Sequence, residues 1–325
     1  MRRLPLIAIV IWLAAGVGCG GPLPPPDPPN LAGAKDSLAR GNEYYSQGCL
    51  NAAERYYQAG LDHARLSDDV LLIIRALNNL GTVTLAQNRP DTAAAYLEQA
   101  MNISLGQPGQ PEMDKILGNF GALALRMKRY ADAEDFWQKA ADAASERGFS
   151  PAPYLCDLAR LYLATGREAD FTAMTARALE VAQKGTAPAN SDAEPLAAAA
   201  DPATVADALS LAGTAAHKAG NLAAAENYYH QALELDRKTE NTAGLAQDTE
   251  ALAMLVIAQG RYQEAVSLLD RAFFLWMALG DDISRDRVYG TIQKSSREHK
   301  TPKELLPYQE ARKNSQAYRL TSQCP

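Results

Sequence analysis

The feature that most constrains the fold is a helical pattern that recurs about every 40 residues from residue 34 onward. In its clearest copy the run Leu77 to Gly81 is followed by Ala93 and Leu97, and the same spacing returns after Gly121 and Gly213. Weaker copies lie around residues 41, 159 and 253, so the six markers are 40, 40, 38, 54 and 40 residues apart. Small residues let two helices approach closely, whereas the large residues that follow fill the space between layers. The pattern therefore predicts stacked helix pairs rather than a domain around one core.

This spacing resembles the tetratricopeptide repeat, in which two antiparallel helices meet through small side chains and neighbouring pairs stack into a superhelix. The resemblance covers about residues 34–300 and implies an all-α fold, a right-handed α-solenoid of antiparallel helix pairs. The small residues expected at the packing contacts are Gly41, Ala53, Gly81, Ala93, Gly121, Ala133, Ala159, Gly213, Ala225, Ala253 and Ala265. The common period is about 34 residues, so the longer spacing is similar to the long-repeat relatives exemplified by kinesin light chain.

The first 18 residues have the composition of an export signal. Arg2 and Arg3 precede an apolar stretch, residues 4–17, which is short for a membrane span. The stretch ends in Ala-Gly-Val-Gly-Cys19, which resembles the lipobox of bacterial lipoproteins and implies cleavage before Cys19 and acylation of its thiol. Gly20 follows, and by the same resemblance this favours the outer membrane, facing the periplasm, over the inner membrane. An ordinary signal peptide or a short uncleaved anchor remains the alternative.

A proline-rich stretch, residues 20–29, follows this signal and is expected to extend as a polyproline II tether. At about 3.1 Å per residue it would hold the folded part on the order of 30 Å from a membrane. The expected organisation is a signal peptide (1–18), a lipidated cysteine and linker (19–33), repeats one to four (34–182), an exposed loop (183–203), repeats five and six with a capping helix (204–300), and a short helix and tail (301–325).

The composition leaves few components for catalysis or metal binding. The formal net charge is −6 and the chain contains four histidines and four cysteines, which argues against a nucleic-acid partner and against zinc or thiol chemistry. The acidic pairs Asp68-Asp69 and Asp281-Asp282 precede predicted helices and fit a capping role. We expect no cofactor, no metal, no small-molecule substrate and no enzymatic activity. A titratable residue buried in a cleft beside a matched partner would favour an enzyme instead.

The inner groove of the array is the candidate functional surface. In the resembled family the first helix of each repeat lines this groove, which selects Asn42, Arg75, Asn78, Asn79, Lys115, Asn119, Arg126 and Arg160. Asn42, Asn79 and Lys115 match positions of a clamp for a terminal carboxylate, but Leu38 and Asn119 replace a lysine and the arginine. The groove therefore predicts binding of an extended or helical peptide rather than capture of a carboxylate. Alternatively, the asparagines only satisfy neighbouring backbone groups.

Three cysteines remain after lipidation, so at least one thiol must stay unpaired within a single chain. Cys49 lies in a predicted turn between helices and Cys324 lies in the tail, where either could form an intermolecular bond. Unpaired, inert thiols are expected for both of them and for Cys156.

The leading hypothesis is a non-enzymatic, membrane-anchored adaptor that binds a segment of another, unidentified envelope protein, in assembly of a pilus, secretion or outer-membrane complex. The alternative is a self-associating or complex-stabilising subunit without a peptide groove. The crowding of Phe273, Phe274, Trp276 and Met277 near the last helix pair motivates this alternative. Such a run more commonly packs against a capping helix.

Overall fold

A computed structural model describes residues 26–184, 201–298, 306–314 and 324. Within these ranges the regular structure is entirely α-helical. The helices are α1 (Pro29–Ser46), α2 (Leu50–Leu66), α3 (Val70–Ala86), α4 (Pro90–Leu105), α5 (Met113–Arg126), α6 (Tyr130–Glu146), α7 (Ala152–Ala164), α8 (Glu168–Lys184), α9 (Pro202–Lys218), α10 (Leu222–Lys238), α11 (Thr242–Ala258), α12 (Tyr262–Leu279), α13 (Asp282–Glu298) and α14 (Leu306–Lys313).

The helix ends follow local sequence chemistry. Asp69 accepts a hydrogen bond from the Leu72 amide at 2.9 Å, and Asp281 accepts one from the Ser284 amide at 3.0 Å. Both carboxylates cap orphan amides at the first turn of a helix, as their sequence positions predict. The turns inside the first six helix pairs each contain a residue with positive φ, and four of the six are glycines: Gly48, Asn88, Lys128, Gly166, Gly220 and Gly260. This left-handed residue ends each first helix and lets the chain reverse.

One boundary differs from expectation. Helix α1 begins at Pro29, not at residue 34, because proline is well tolerated in the first turn of a helix and the four residues after it can continue that helix. The short helix expected within residues 301–325 is present as α14, Leu306–Lys313. The signal peptide, Cys19, most of the tether and most of the loop at 183–203 lie outside the described residues.

Each helix from α1 to α12 packs against the next, and the consecutive antiparallel pairs form a stack with an inner side and an outer side. Besides these sequential contacts, α1 contacts α3, α3 contacts α5, α7 contacts α9, and α9 contacts α11. These contacts join first helices of neighbouring pairs, which places the odd-numbered helices on the inner, more tightly curved side.

One contact recurs inside the pairs. A small residue of the first helix faces a large residue 16 positions later in the second helix, and the four such pairs with glycine are Gly41 with Tyr57, Gly81 with Leu97, Gly121 with Trp137, and Gly213 with Tyr229. A Cβ atom added to Gly121 would lie 2.5 Å from Nε1 of Trp137, closer than packed atoms allow. The indole N–H of Trp137 also donates to the Gly118 carbonyl at 3.1 Å. The small residues are therefore required for the close approach of the two helices.

The fourth pair departs from this rule. The residue sixteen positions after its small residue, Ala159, is Thr175 instead of a large apolar residue, and Phe171 of α8 is fully buried in the core cluster that contains Ala159. Thr175 is 2% exposed, and its hydroxyl has no hydrogen-bond partner in the described part of the chain. The degenerate fourth repeat is therefore filled by a phenylalanine from one turn earlier.

Two residues of the aromatic run near the last pair pack inside the array. Phe273 and Met277 are at most 1% exposed. The ring of Phe273 lies 5.0 Å from that of Tyr308 on α14 and 6.3 Å from that of Tyr289 on α13. Phe274, however, is 38% exposed and Trp276 is only partly buried, so the run packs against the end helices in part and self-association stays a prediction.

The cysteine pairing differs from the sequence expectation. Cys49 and Cys324 form a disulfide with a Cα–Cα distance of 5.5 Å, and Cys156 is free and buried. The expectation of unpaired thiols at Cys49 and Cys324 is therefore wrong, because tertiary structure brings together two residues 275 positions apart. Cys49 does lie in the turn between α1 and α2, as predicted.

None of the helices in the described ranges is long and apolar enough to cross a membrane.

Replacing Gly121 by alanine should destabilise the fold by about 1–3 kcal/mol, because the new methyl group would overlap the Trp137 indole. The change is measured as the free energy of unfolding in a urea titration. Gly290 in α13 is the matched control, since no heavy atom lies within 4 Å of a Cβ placed there. Gly290→Ala should stabilise the helix by about 0.5–1 kcal/mol. Equal effects of the two changes would contradict the packing explanation.

Candidate functional site

The inner face carries a pocket between α1, α3 and α5, which we call the amide pocket. Its volume is about 380 Å³. It is lined by Lys35, Leu38, Ala39, Asn42, Leu72, Arg75, Asn78, Asn79, Glu112 and Lys115. Five of the eight residues selected from the sequence, Asn42, Arg75, Asn78, Asn79 and Lys115, therefore lie together.

Asparagine side chains connect the helices around this pocket. The Asn79 amide donates to Oδ1 of Asn42 at 3.2 Å, and the Tyr57 hydroxyl donates to the same oxygen at 2.9 Å. The Asn119 amide donates to Oδ1 of Asn78 at 2.8 Å. Asn78 is 6% exposed, so it serves the packing of the groove wall. Asn42 is exposed and Asn79 is half-buried, which leaves amide groups available to a ligand.

A buried carboxylate organises the cations of the amide pocket. Glu112 is 4% exposed and accepts hydrogen bonds from Nε and Nη2 of Arg75 at 3.1 and 3.0 Å, and it pairs with Nζ of Lys115 at 2.7 Å. Burial alone would raise the pKa of Glu112, but Lys115 and Arg75 outweigh it and hold that pKa below its usual value. Glu112 thereby fixes both cations in place.

The remaining selected residues lie elsewhere. Asn119 adjoins the pocket through Asn78, whereas Arg126 donates to Oδ1 of Asn88 in the turn that follows α3. Arg160 lies in a second pocket. Sequence reasoning missed Lys35 and Glu112, although Glu112 sits three positions before Lys115 and could have been recognised as its i, i+3 partner. Because Glu112 engages Lys115, the structure offers an incomplete carboxylate clamp.

The second pocket lies between α7, α9 and α11 and also has a volume of about 380 Å³. We call it the acidic pocket. Its polar lining consists of Asp157, Arg160, Thr204, Asp207, Ser210, Asp236, Asn241, Gln247 and Asp248. Arg160 donates to Asp157 at 3.0 Å and also to Asp207, so one guanidinium bridges α7 and α9. A single arginine thus faces four aspartates.

The base of the acidic pocket is a pair of carboxyl groups. Asp236 and Asp248 are each 1% exposed and are hydrogen-bonded to each other. Ser210 donates to Asp248, and the Asn241 amide donates to Asp236 at 2.9 Å. The absence of a side chain at Gly244 makes room for Asp236, whose carboxylate would overlap a Cβ there. Because two adjacent buried carboxylates repel each other, the pair retains a proton.

Burial shifts the acidic groups of this pocket toward their neutral forms. Burial raises the pKa of Asp248 to about 8. The hydrogen bond from Ser210 lowers this pKa, whereas the charge of Asp236 raises it further. Burial also raises the pKa of Asp236. Desolvation raises the pKa of Asp157 to about 6, while Arg160 opposes this shift and Asp207 adds to it. Sequence reasoning missed this cluster because its members come from four helices.

The described ranges contain no group of three His, Cys, Asp or Glu side chains that could hold a metal ion.

The Asp236–Asp248 pair should make stability decrease with rising pH. Asp248 has a folded-state pKa of about 8 and an ordinary value of 3.8, so between these values the unfolded chain binds fewer protons than the folded chain. The free energy of unfolding should therefore fall as pH rises from about 4 to about 8 and change little from this group outside that window. Chemical denaturation at a series of pH values measures this slope.

Asp248→Asn keeps the shape of the neutral carboxyl group and cannot ionise. It should flatten the slope and make the protein more stable than wild type at pH 8, with little difference at pH 4. Asp142→Asn, on the exposed face of α6, is the matched control and should leave the slope as in wild type. A slope unaffected by Asp248→Asn would show that the pair does not hold the proton.

Similarity to known proteins agrees with the helix-pair architecture. The family model described as tetratricopeptide repeat matches residues 37–105 and 204–273. No curated protein sequence matches the chain.

Solved structures show the same fold at low sequence identity. A chain of the APC/C hetero-tetramer Cut9–Hcn1 matches with a TM-score of 0.56 and 14% identity over 81% of this chain and 42% of that chain. Aspartyl phosphate phosphatase F from Bacillus subtilis matches with a TM-score of 0.52 and 12% identity, over 82% of this chain and 70% of that chain. BtubC from P. vanneervenii matches with a TM-score of 0.50 and 16% identity, over 78% of this chain and 93% of that chain. Together with the recurring helix pairs, the family match over residues 37–105 and 204–273 shows that the chain contains tetratricopeptide repeats, and the solved structures share its fold.

Proposed function

We propose that the protein is a non-enzymatic scaffold that binds a segment of another cell-envelope protein in its inner groove. Tetratricopeptide arrays mediate protein–protein interactions, and the structures similar to this one include a subunit of a hetero-tetramer. The observation that carries the proposal for this chain is the amide pocket, an indentation of about 380 Å³ on the inner face.

The chemistry of the amide pocket suits a peptide. Asn42 and Asn79 offer both donors and acceptors, which can pair with the amides and carbonyls of a bound main chain. Leu38 and Leu72 provide an apolar base. Such a combination of an apolar surface and a few placed polar groups fixes both affinity and register.

The cations of the pocket favour a segment that carries acidic side chains. The side chains of Arg75 and Lys115 are 45% and 57% exposed although both contact Glu112, so each retains donors that face solvent. Lys35, whose ammonium group pairs with Asp27 at 2.8 Å, adds a third cation to the lining. Because Glu112 holds two of these cations in place, binding loses less side-chain entropy than it would with free lysines and arginines.

The acidic pocket has the one arrangement that would favour an enzyme, a buried titratable group beside a partner. Asp236 and Asp248 are, however, each 1% exposed, and their hydrogen bonds go to each other, Ser210 and Asn241. A catalytic carboxyl group must touch its substrate, whereas these groups are committed to packing between α9, α10 and α11. We therefore assign the pair a structural role.

We infer that the scaffold is anchored to a membrane by a lipid on Cys19 and acts on the periplasmic side of the outer membrane. The support is the lipobox-like sequence and the nine residues between Cys19 and the start of α1 at Pro29, which give a reach on the order of 30 Å. The Cys49–Cys324 disulfide is consistent with this location, because such bonds persist in oxidising compartments outside the cytoplasm. Assembly of an envelope complex is the role that fits an anchored scaffold.

The groove assignment is tested by photo-crosslinking in cells from an unnatural amino acid placed at Ala39, an exposed position that lines the amide pocket. When Asn79 and Lys115 are both replaced by alanine, two pocket contacts are lost. The yield of the captured protein should then fall by at least about tenfold.

Asn102→Ala with Lys139→Ala is the matched control, since it removes one amide and one lysine from exposed positions on the second helices α4 and α6. This control should capture the partner as wild type does. Equal capture by the pocket variant and the control would refute binding in the groove.

The anchor is tested by metabolic labelling with an alkyne fatty acid in a Gram-negative host, followed by density separation of the two membranes. Wild type should carry the label and fractionate with the outer membrane, whereas Cys19→Ser should lose the label. Cys156→Ser, which changes the buried free cysteine, should retain it. An unlabelled wild-type protein would refute lipidation, and a labelled protein in the inner membrane would refute the sorting inference.

A further inference from the structure

A cleft at the outer edge of the first repeat holds Cys324. It lies beside the turn between α1 and α2 and has a volume of about 720 Å³. We call it the turn cleft; its polar wall is formed by Asn51, Glu54, Gln87 and Arg89. The Gln87 amide donates to Glu54 at 2.8 Å, and Arg89 donates to Glu54 at 2.9 Å. These bonds tie the turn after α3 to α2 and keep the wall of the cleft in place.

Cys324, which lines this cleft, belongs to the part of the chain that follows the last described helix, at the opposite end of the array. Helix α14 is fixed against the last pairs, because Tyr308 packs on Phe273 and donates to Asp270 at 2.6 Å, and Arg312 donates to Asp286 at 2.9 Å. Cys324 follows Asn314 by only ten residues. The disulfide therefore joins the first helix pair to a segment whose other end is held by the last helices.

Covalent geometry limits how far apart these ends can lie. Ten extended residues span at most about 36 Å, and the Cα atoms of Cys49 and Cys324 are 5.5 Å apart. With the bond formed, Asn314 lies within about 42 Å of Cys49. Without it, only the stacking of neighbouring pairs sets the separation of the two ends.

We propose that the Cys49–Cys324 bond is a redox-controlled clasp that ties the two ends of the array together. The inference goes beyond the proposed binding function and does not depend on the identity of a groove partner. The clasp limits spreading of the array, and the width of the inner groove follows from that spread.

The exposure of the two sulfur atoms sets the order of the exchange. Cys49 is 4% exposed, whereas Cys324 is partly exposed, so an external thiolate reaches Cys324 first. To open the clasp, one thiolate of a dithiol reductant attacks Sγ of Cys324 and forms a mixed disulfide with it. The bond to Cys49 breaks at the same time, and Cys49 leaves as a thiolate, which takes a proton. The second thiolate of the reductant then displaces Cys324. In closure, a disulfide oxidant of the protein or glutathione class accepts the two electrons, and the cysteines lose two protons.

The third cysteine does not compete in this exchange. Cys156 is fully buried, and burial raises the pKa of its thiol well above the usual value, which keeps it protonated. Because only the thiolate attacks a disulfide, Cys156 is inert in the folded protein.

The clasp is tested on the chain that begins at Pro26, purified without reductant. Its intact mass should be lower than that of the reduced chain by two hydrogen atoms, and proteolysis should yield a peptide pair linked through Cys49 and Cys324. Only bonds between two copies of the chain, or no bond at all, would overturn the proposal.

The effect on the array is measured by energy transfer between dyes on unnatural amino acids at Gln47 and Lys313, two exposed positions near the ends. In the oxidised protein the distance should stay within the covalent limit, and dithiothreitol or Cys324→Ser should shift its distribution to longer values. Cys156→Ser should behave as wild type in both conditions. Circular dichroism of each sample verifies that helix content is retained. An unchanged distance in a reduced, fully helical sample would overturn the clasp.

Discussion

The close contact between a small residue of one helix and a large residue 16 positions later is the constraint on which the rest of the structure depends. Gly121 against Trp137 is the clearest case, because the indole occupies the space that any side chain at position 121 would need. This contact sets the separation of the two helices in a pair. Since pairs then stack with their first helices inside, it also determines which residues face the groove.

The sequence was sufficient to predict this layer of the structure because the contacts are local and repeated. Gly81 and Leu97 belong to one helix pair, so their spacing is visible in the chain itself. The co-location of Asn42, Asn79 and Lys115 was expected from the resemblance to the repeats that clamp a terminal carboxylate. The acidic pocket was not predictable in this way. Asp157 and Asp207 lie on either side of a long insertion, and Asp236 does not occupy the equivalent position of its own repeat. The cysteine pairing likewise depends on the overall curvature of the array.

Packing and recognition use different faces of the same helices. Leu77 and Leu80 of α3 are buried between layers, while Arg75 and Asn79 of that helix line the amide pocket. The groove positions can therefore vary in charge without disturbing the repeat contact. The two pockets illustrate this freedom, since Glu112 holds two cations in one and Arg160 bridges two aspartates in the other. The identity of a partner is consequently encoded in residues that the repeat pattern does not constrain.

A linear array is held together only by contacts between neighbouring pairs, so its end pairs have a neighbour on one side alone. The Cys49–Cys324 bond changes this arrangement by closing a loop across 275 residues. In the chain-entropy description, closing such a loop lowers the entropy of the unfolded chain and so raises the free energy of unfolding by about 5–6 kcal/mol at most. Because Cys49 lies in the first pair, local opening of that pair no longer releases it from the rest of the protein. Reduction would restore the independence of the two ends, which links the stability of the end pairs, and the spread of the groove between them, to the redox state of the surroundings.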